Sequence, residues 1–206
     1  MPRIAVVGSL NVDLVAYVDH LPRPGETMAS RATRRQLGGK GFNQAVALRQ
    51  LGADVLLVGA VGDDEDGRAF EAELDRRGID RTGVVRRDAA TGMALITVDE
   101  SGENTIVLSP GANLALEPDA INLADDAGAV LAQGELRAET TAAALAAAHG
   151  RRVLNAAPAS PALLPAIAHV DLLIVNEGEA ADLGGVDAIR AGGAHEVVVT
   201  LGSRGA

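Results

Sequence analysis

Short apolar runs recur along this chain, at residues 4–7, 55–58, 130–132, 153–154, 172–175 and 197–200, and helical patterns separate many of them. Runs this short, apolar throughout, belong to strands buried on both faces. Between them, residues 41–51 put Ala45, Leu48 and Leu51 on one helical face, and residues 65–77 turn Phe70 and Leu74 inward with charges opposite. Residues 138–149 are alanine-rich and contain no breaker. Each pattern stops near a glycine, at Gly52, Gly78 or Gly150. Strands that alternate with helices require right-handed crossovers, so a mostly parallel sheet with helices on both faces is predicted.

Two stretches break this rhythm. Residues 12–18 and 28–37 flank Leu21-Pro22-Arg23-Pro24-Gly25, and residues 92–98 and 105–108 flank Asp99-Glu100-Ser101-Gly102. Partial alternation of apolar and polar residues predicts antiparallel strands with one wet face, in a small sheet standing off the core.

Charge and composition narrow the partners. Lys and Arg number 18 against 28 Asp and Glu, a net charge of −10, which opposes binding to a phosphate backbone or an anionic membrane. Without cysteine, thiolate metal sites and thiol nucleophiles are excluded, and a cytoplasmic location is expected. The first apolar run is too short for a signal-peptide core, and prolines 158, 161 and 165 punctuate the longest uncharged stretch, so no membrane-spanning segment is expected.

Four loops carry polar groups suited to a ligand. In Gly38-Gly39-Lys40-Gly41-Phe42-Asn43-Gln44-Ala45, glycine backbone and a helix start are placed to meet an anion or a hydroxyl-rich group, unless the loop is simply mobile with a solvated lysine. Arg34 and Gly41 exclude a Walker A motif. Asn11 and Asp13 alternate after the first strand, where Asp13 could accept two hydroxyls of a vicinal diol or form an Asx turn. Asn176-Glu177-Gly178-Glu179 fits either acidic Mg²⁺ ligation or a helix N-cap. The glycine-rich segment from Thr200 to Gly205 suits a nucleotide phosphate or a plain turn. No dinucleotide fingerprint, nucleophile elbow or histidine metal spacing is present.

The order and spacing of these loops, with Pro24-Gly25-Glu26-Thr27, Thr91-Gly92-Met93-Ala94-Leu95, Gly111-Ala112-Asn113 and Asn155-Ala156-Ala157-Pro158-Ala159, resemble the ribokinase-type carbohydrate kinase family from Ile4 to Ala206. The resemblance implies a three-layer α/β/α sandwich, with residues 1–11, 38–90 and 110–206 as core and 12–37 and 91–109 as an antiparallel β lid. It implies ATP-dependent phosphorylation of D-ribose to ribose 5-phosphate, with two alternatives: a related kinase for another sugar or nucleoside (deoxyribose, fructose, a sugar acid), or a non-catalytic, truncated sugar-binding protein. Asn11, Val12, Asp13, Gly39, Lys40, Gly41, Phe42, Asn43 and Glu135 would surround the sugar. Asn176, Thr200, Leu201, Gly202, Ser203, Arg204 and Gly205 would meet ATP, and Glu179 would reach Mg²⁺ through water. A homodimer through the lid is implied as well. Three departures stand out: Gly134 and Leu136 replace bulkier or differently patterned neighbours around Glu135, the stretch between Glu179 and Val197 is short, and the sequence stops at Ala206 before the family's Gly-Ala-Gly-Asp segment. That segment supplies the aspartate general base, the anion hole, a K⁺ loop and most of the adenine pocket, so no catalytic base is expected among these 206 residues.

Overall fold

The computed structural model describes residues 3–206. In chain order the strands are β1 (Arg3–Val7), β2 (Asn11–Tyr17), β3 (Ala32–Gly38), β4 (Val55–Gly62), β5 (Asp80–Arg87), β6 (Gly92–Val98), β7 (Asn104–Ser109), β8 (Ala127–Gln133), β9 (Arg151–Asn155), β10 (Leu172–Asn176) and β11 (Glu196–Thr200). The helices are α1 (Lys40–Gln50), α2 (Glu65–Arg77), α3 (Ala138–Ala146), α4 (Leu164–Ile167), α5 (Glu177–Asp182) and α6 (Val186–Ala191). Seven strands form a parallel sheet in the order β11-β10-β9-β8-β1-β4-β5. Every residue of β4 is buried, as an inner strand covered on both faces must be.

On one face, α1 and α2 pack Phe42, Phe70 and Leu74 onto Val6 and Leu57, with the two phenyl rings edge-to-face at 5.2 Å. On the other, Ala5, Val7, Val58 and Val130 meet Ala112, Leu116 and Ala144. At the β9–β11 end, Leu154, Leu173, Val197 and Val199 pack against Leu145, Ile167, Ala180 and Ile189 on that same second side. The opposite face there, with Leu172 and Ile174 partly buried and Val198 exposed, has no helix laid over its length among the described residues. The sandwich thus has three layers over β8, β1, β4 and β5 and thins towards β11.

The remaining strands form a separate sheet in the order β3-β2-β6-β7. It was expected to be antiparallel, yet it is mixed. β2 pairs antiparallel with β3 and β6 with β7, but β2 and β6 run parallel from Asn11↔Gly92 to Tyr17↔Val98. The reason is topological. β2 and β6 each leave the core from the carboxyl end of a parallel strand, β1 and β5, so both run outward side by side. Asp64 fastens this sheet at its root: it caps α2 by accepting from the Gly67 N–H (2.8 Å) and accepts from the Thr91 hydroxyl (2.6 Å) and N–H (2.7 Å). These bonds outweigh burial, which pushes the carboxyl up, and hold it below its usual range. No described helix is long and apolar enough to cross a membrane.

Candidate functional site

The carboxyl ends of β1 and β8, the start of α1 and the root of the small sheet converge on a cavity of ≈ 130 Å³. The period of two along β2 turns Asn11 and Asp13 to one side, where they line the cavity with Gly39, Lys40, Asn43 and Glu135. Ala94 and Ile96 of β6 and Ile106 and Leu108 of β7 supply an apolar wall. Val12 and Phe42, expected beside the sugar, are buried in the core with Val6 and Phe70 instead, because the side chains flanking Asn11 and Asn43 point the opposite way. Gly41 also has no place in the cavity wall: it is pressed against the Gly8–Ser9 segment that follows β1, where an added Cβ would lie 2.6 Å from the Ser9 nitrogen. Only glycine allows α1 to start this close to the strand end.

The charges decide what such a cavity receives. The Lys40 ammonium pairs with Glu135 Oε1 at 3.0 Å, and Glu135 Oε2 accepts the Lys40 N–H at 3.1 Å and the Ser9 hydroxyl. Lys40 is therefore already neutralised. Counting Asp13, the cavity carries a net charge of about −1, which suits hydroxyl donors and repels phosphate. Burial raises the Asp13 carboxyl above its ordinary 3.8; a hydrogen bond from Gln36 opposes this, the Glu135 charge adds to it, and Lys40 opposes it. The side chain has room because position 38, across the β2–β3 pair, is glycine; a Cβ there would run into the carboxylate.

Asn113 has a structural part that sequence reasoning did not assign. Its Oδ1 accepts the Leu10 N–H at 3.0 Å, while Nδ2 donates to Asn11 Oδ1 at 2.8 Å, Pro110 O at 3.0 Å and Leu10 O at 3.2 Å. It thereby fixes the Asn11 amide with its Nδ2 left for a ligand. Ser9, fully buried, was likewise given no part. The signal for Asn113 was its place in Gly111-Ala112-Asn113, where the chain returns to the core.

The second group of residues lies at the ends of β10 and β11, where Asn176 pairs with Thr200. Adjacent strands are about 4.8 Å apart, so the end of β10 stands roughly 10 Å from that of β8. Asn176 and Glu179 form a capping box: Asn176 Oδ1 accepts the Glu179 N–H and Glu179 Oε2 accepts the Asn176 N–H, both at 2.8 Å. The other Glu179 oxygen takes no part in the capping box. Among the described residues no three His, Cys, Asp or Glu side chains gather as a metal site. Leu201 N–H closes a turn onto Gly205 O (2.7 Å), and Arg204 in that turn pairs with Glu177 (2.6 Å). A larger cleft of ≈ 590 Å³ beside Asp63, Arg86 and Ala90 lacks such convergence, since Arg86 is occupied by Glu71 and Asp63.

A parallel α/β core with a four-stranded sheet over the carboxyl ends of its strands is the ribokinase-like fold. The ribokinase from Cryptococcus neoformans var. grubii in complex with ADP superposes with a TM-score of 0.86 at 34% identity, covering 100% of this chain and 74% of that one. Ribokinase from Arabidopsis thaliana, complexed with ribose and ATP, gives 0.79 at 28%, covering 98% and 72%. The pfkB family carbohydrate kinase model matches residues 1–206, and the chain belongs to that family. Among curated relatives, ribokinases of Haemophilus influenzae (35% identical, 98% of this chain, 72% of the relative) and Bacillus subtilis (38%, 89% and 65%) match it. A deoxyribokinase of Salmonella typhi matches at 35%, over 98% and 73%. The chain thus spans about two thirds to three quarters of the length of these relatives.

Proposed function

We propose that this chain carries the sugar site of a kinase that transfers the terminal phosphoryl group of ATP to the 5-hydroxyl of D-ribose. The observation that carries this reading is the convergence of Asn11, Asp13, Lys40, Asn43 and Glu135 on one mildly acidic cavity walled by the small sheet. Asp13 would accept two neighbouring hydroxyls, while Asn11 Nδ2 and Asn43 would complete the ring of polar contacts. Val12, Gly41 and Phe42 would serve only by supporting them. The small sheet would act as a lid, excluding water so that ATP is not hydrolysed. Its outer face exposes Leu14, Leu95 and Val107, which a second copy would cover in a cytoplasmic homodimer.

ATP bound with Mg²⁺ would supply the phosphoryl group and neutralise its charge in transfer. Asn176, Thr200 and the 201–205 turn would hold its phosphates, and the free oxygen of Glu179 would reach Mg²⁺ through water. The 5-hydroxyl would also need a general base to take its proton. Neither Asp13, held for the diol, nor Glu135, paired with Lys40, is free for that work. A polypeptide of these 206 residues would bind ribose without turning it over. Because a deoxyribokinase is as similar as one of the ribokinases, 2-deoxyribose is the second candidate. Calorimetric titration with D-ribose, 2-deoxy-D-ribose, D-fructose and a nucleoside tests the reading. Saturable binding with D-ribose tightest is expected; binding of none of them, or preference for the nucleoside, would refute it.

A further inference from the structure

We infer that Ser9 is a positioning residue, whose buried hydroxyl locks Glu135 against the start of α1 and so sets where Lys40 stands in the cavity. A helix begins with unpaired N–H groups that need acceptors. Here the N-cap is Gly39, at φ 89°, which has no side chain to offer one. The acceptors come instead from other elements. Glu135 Oε2 takes the Lys40 N–H at 3.1 Å, Ser9 Oγ takes the Gly41 N–H at 3.4 Å, and Ser9 O takes the Phe42 N–H at 3.0 Å.

The Ser9 hydroxyl has a single proton, and it goes to the same Glu135 oxygen. One hydroxyl therefore couples the end of β1, the segment after β8 and the first turn of α1. Glu135, only 7% exposed, is held on one oxygen by Ser9 and the Lys40 backbone and on the other by the Lys40 ammonium. Its direction, and with it that of Lys40, is fixed before any ligand arrives. Replacing Ser9 with alanine removes a hydrogen bond to a charged group and strips the buried Gly41 N–H of its acceptor. Glu135 and Lys40 then lose their common orientation, and a ligand must impose it at the expense of affinity.

This inference rests on the reading of the cavity as a sugar site, and two measurements separate the two claims. Calorimetry with D-ribose should show about five- to twentyfold weaker binding for Ser9→Ala. The same change in a Glu135→Gln background should cost less than about threefold, because Ser9 then has no carboxylate to orient. Amide hydrogen exchange at Gly41 should accelerate about tenfold in Ser9→Ala, sugar or no sugar. Ser9→Cys, close in size and a weaker donor, should fall between wild type and alanine, and it serves if the alanine variant fails to fold. Unchanged ribose affinity in Ser9→Ala, or an equal loss in both backgrounds, would overturn the inference. If the wild-type chain binds no ribose, the sugar reading fails. The placement of Glu135 is then decided by exchange at Lys40, whose N–H Glu135 accepts: acceleration there in Ser9→Ala supports it and an unchanged rate overturns it.

Discussion

Replacing Asp13 by asparagine should move sugar binding and stability in opposite directions. The substitution keeps the shape of the side chain and one acceptor for Gln36, but it turns one carboxylate oxygen into a donor. A diol held by two charge-assisted hydrogen bonds then loses at least one, worth about 1.5–3 kcal/mol. Ribose should bind about tenfold to a hundredfold more weakly. Stability follows the other sign. Burial lifts the Asp13 carboxyl above 3.8, so the folded chain holds this proton more tightly than the unfolded chain does. The ionised group consequently costs nothing below 3.8 and opposes folding increasingly as pH rises through its raised value. Asparagine removes that cost, so at pH 7 the variant should melt no lower than wild type, and any advantage should vanish in acid. In wild type, acid should weaken ribose binding from above 3.8, whereas the variant should show no such step. Calorimetry and thermal unfolding across pH supply the readouts. Ribose affinity within threefold of wild type, or a variant several degrees less stable at pH 7, would refute this account of Asp13.

The legible parts of this fold are those in which local chemistry and tertiary packing agree. α2 was readable to its last residue because Asp64 caps it, Phe70 and Leu74 face the core, and Gly78 ends it at φ 65°. β5 was not legible. Its sequence, DRTGVVRR, carries the polar load of a sheet edge and lacks an apolar run. The alanine pattern after residue 138 suggested a helix to residue 149, yet α3 stops at Ala146, just beyond its last buried contact, Leu145. Propensity without a packing partner does not extend a helix. In the site, alternation made Asn11 and Asp13 visible, while the parallel β2–β6 register and the bonds of Ser9 and Asn113 join residues more than 70 positions apart. Such pairings leave no local periodicity. At Asn176 both sequence readings turned on the same residues, and the N-cap is present in the fold.

Two further outcomes test particular bonds. Arg152 donates side-chain and backbone hydrogen bonds to Asp171, holding its carboxyl at about 2; allowing for partial exposure, this stabilises the fold by about 1–2 kcal/mol. The contribution is complete above 3.8 and is lost as pH falls through about 2, so urea titrations should show Asp171→Asn less stable at pH 7 and the gap closing in acid. Asn113→Ala leaves the Leu10 N–H without its acceptor and frees Asn11. A loss of about 1–3 kcal/mol is expected by denaturant titration, with weaker ribose binding. Asn113→Asp, which sets a carboxylate against Asn11 Oδ1 and Leu10 O, should be worse still.

The placement of the sugar is tested most directly by a crystal structure of the chain grown with D-ribose. Two adjacent hydroxyls should lie on the Asp13 carboxylate, a further hydroxyl should face the Lys40–Glu135 pair, and the ring should sit against Ala94, Ile96, Ile106 and Leu108. Ribose bound in the cleft beside Asp63 and Arg86, or turned so that Asp13 touches none of its hydroxyls, would contradict the account.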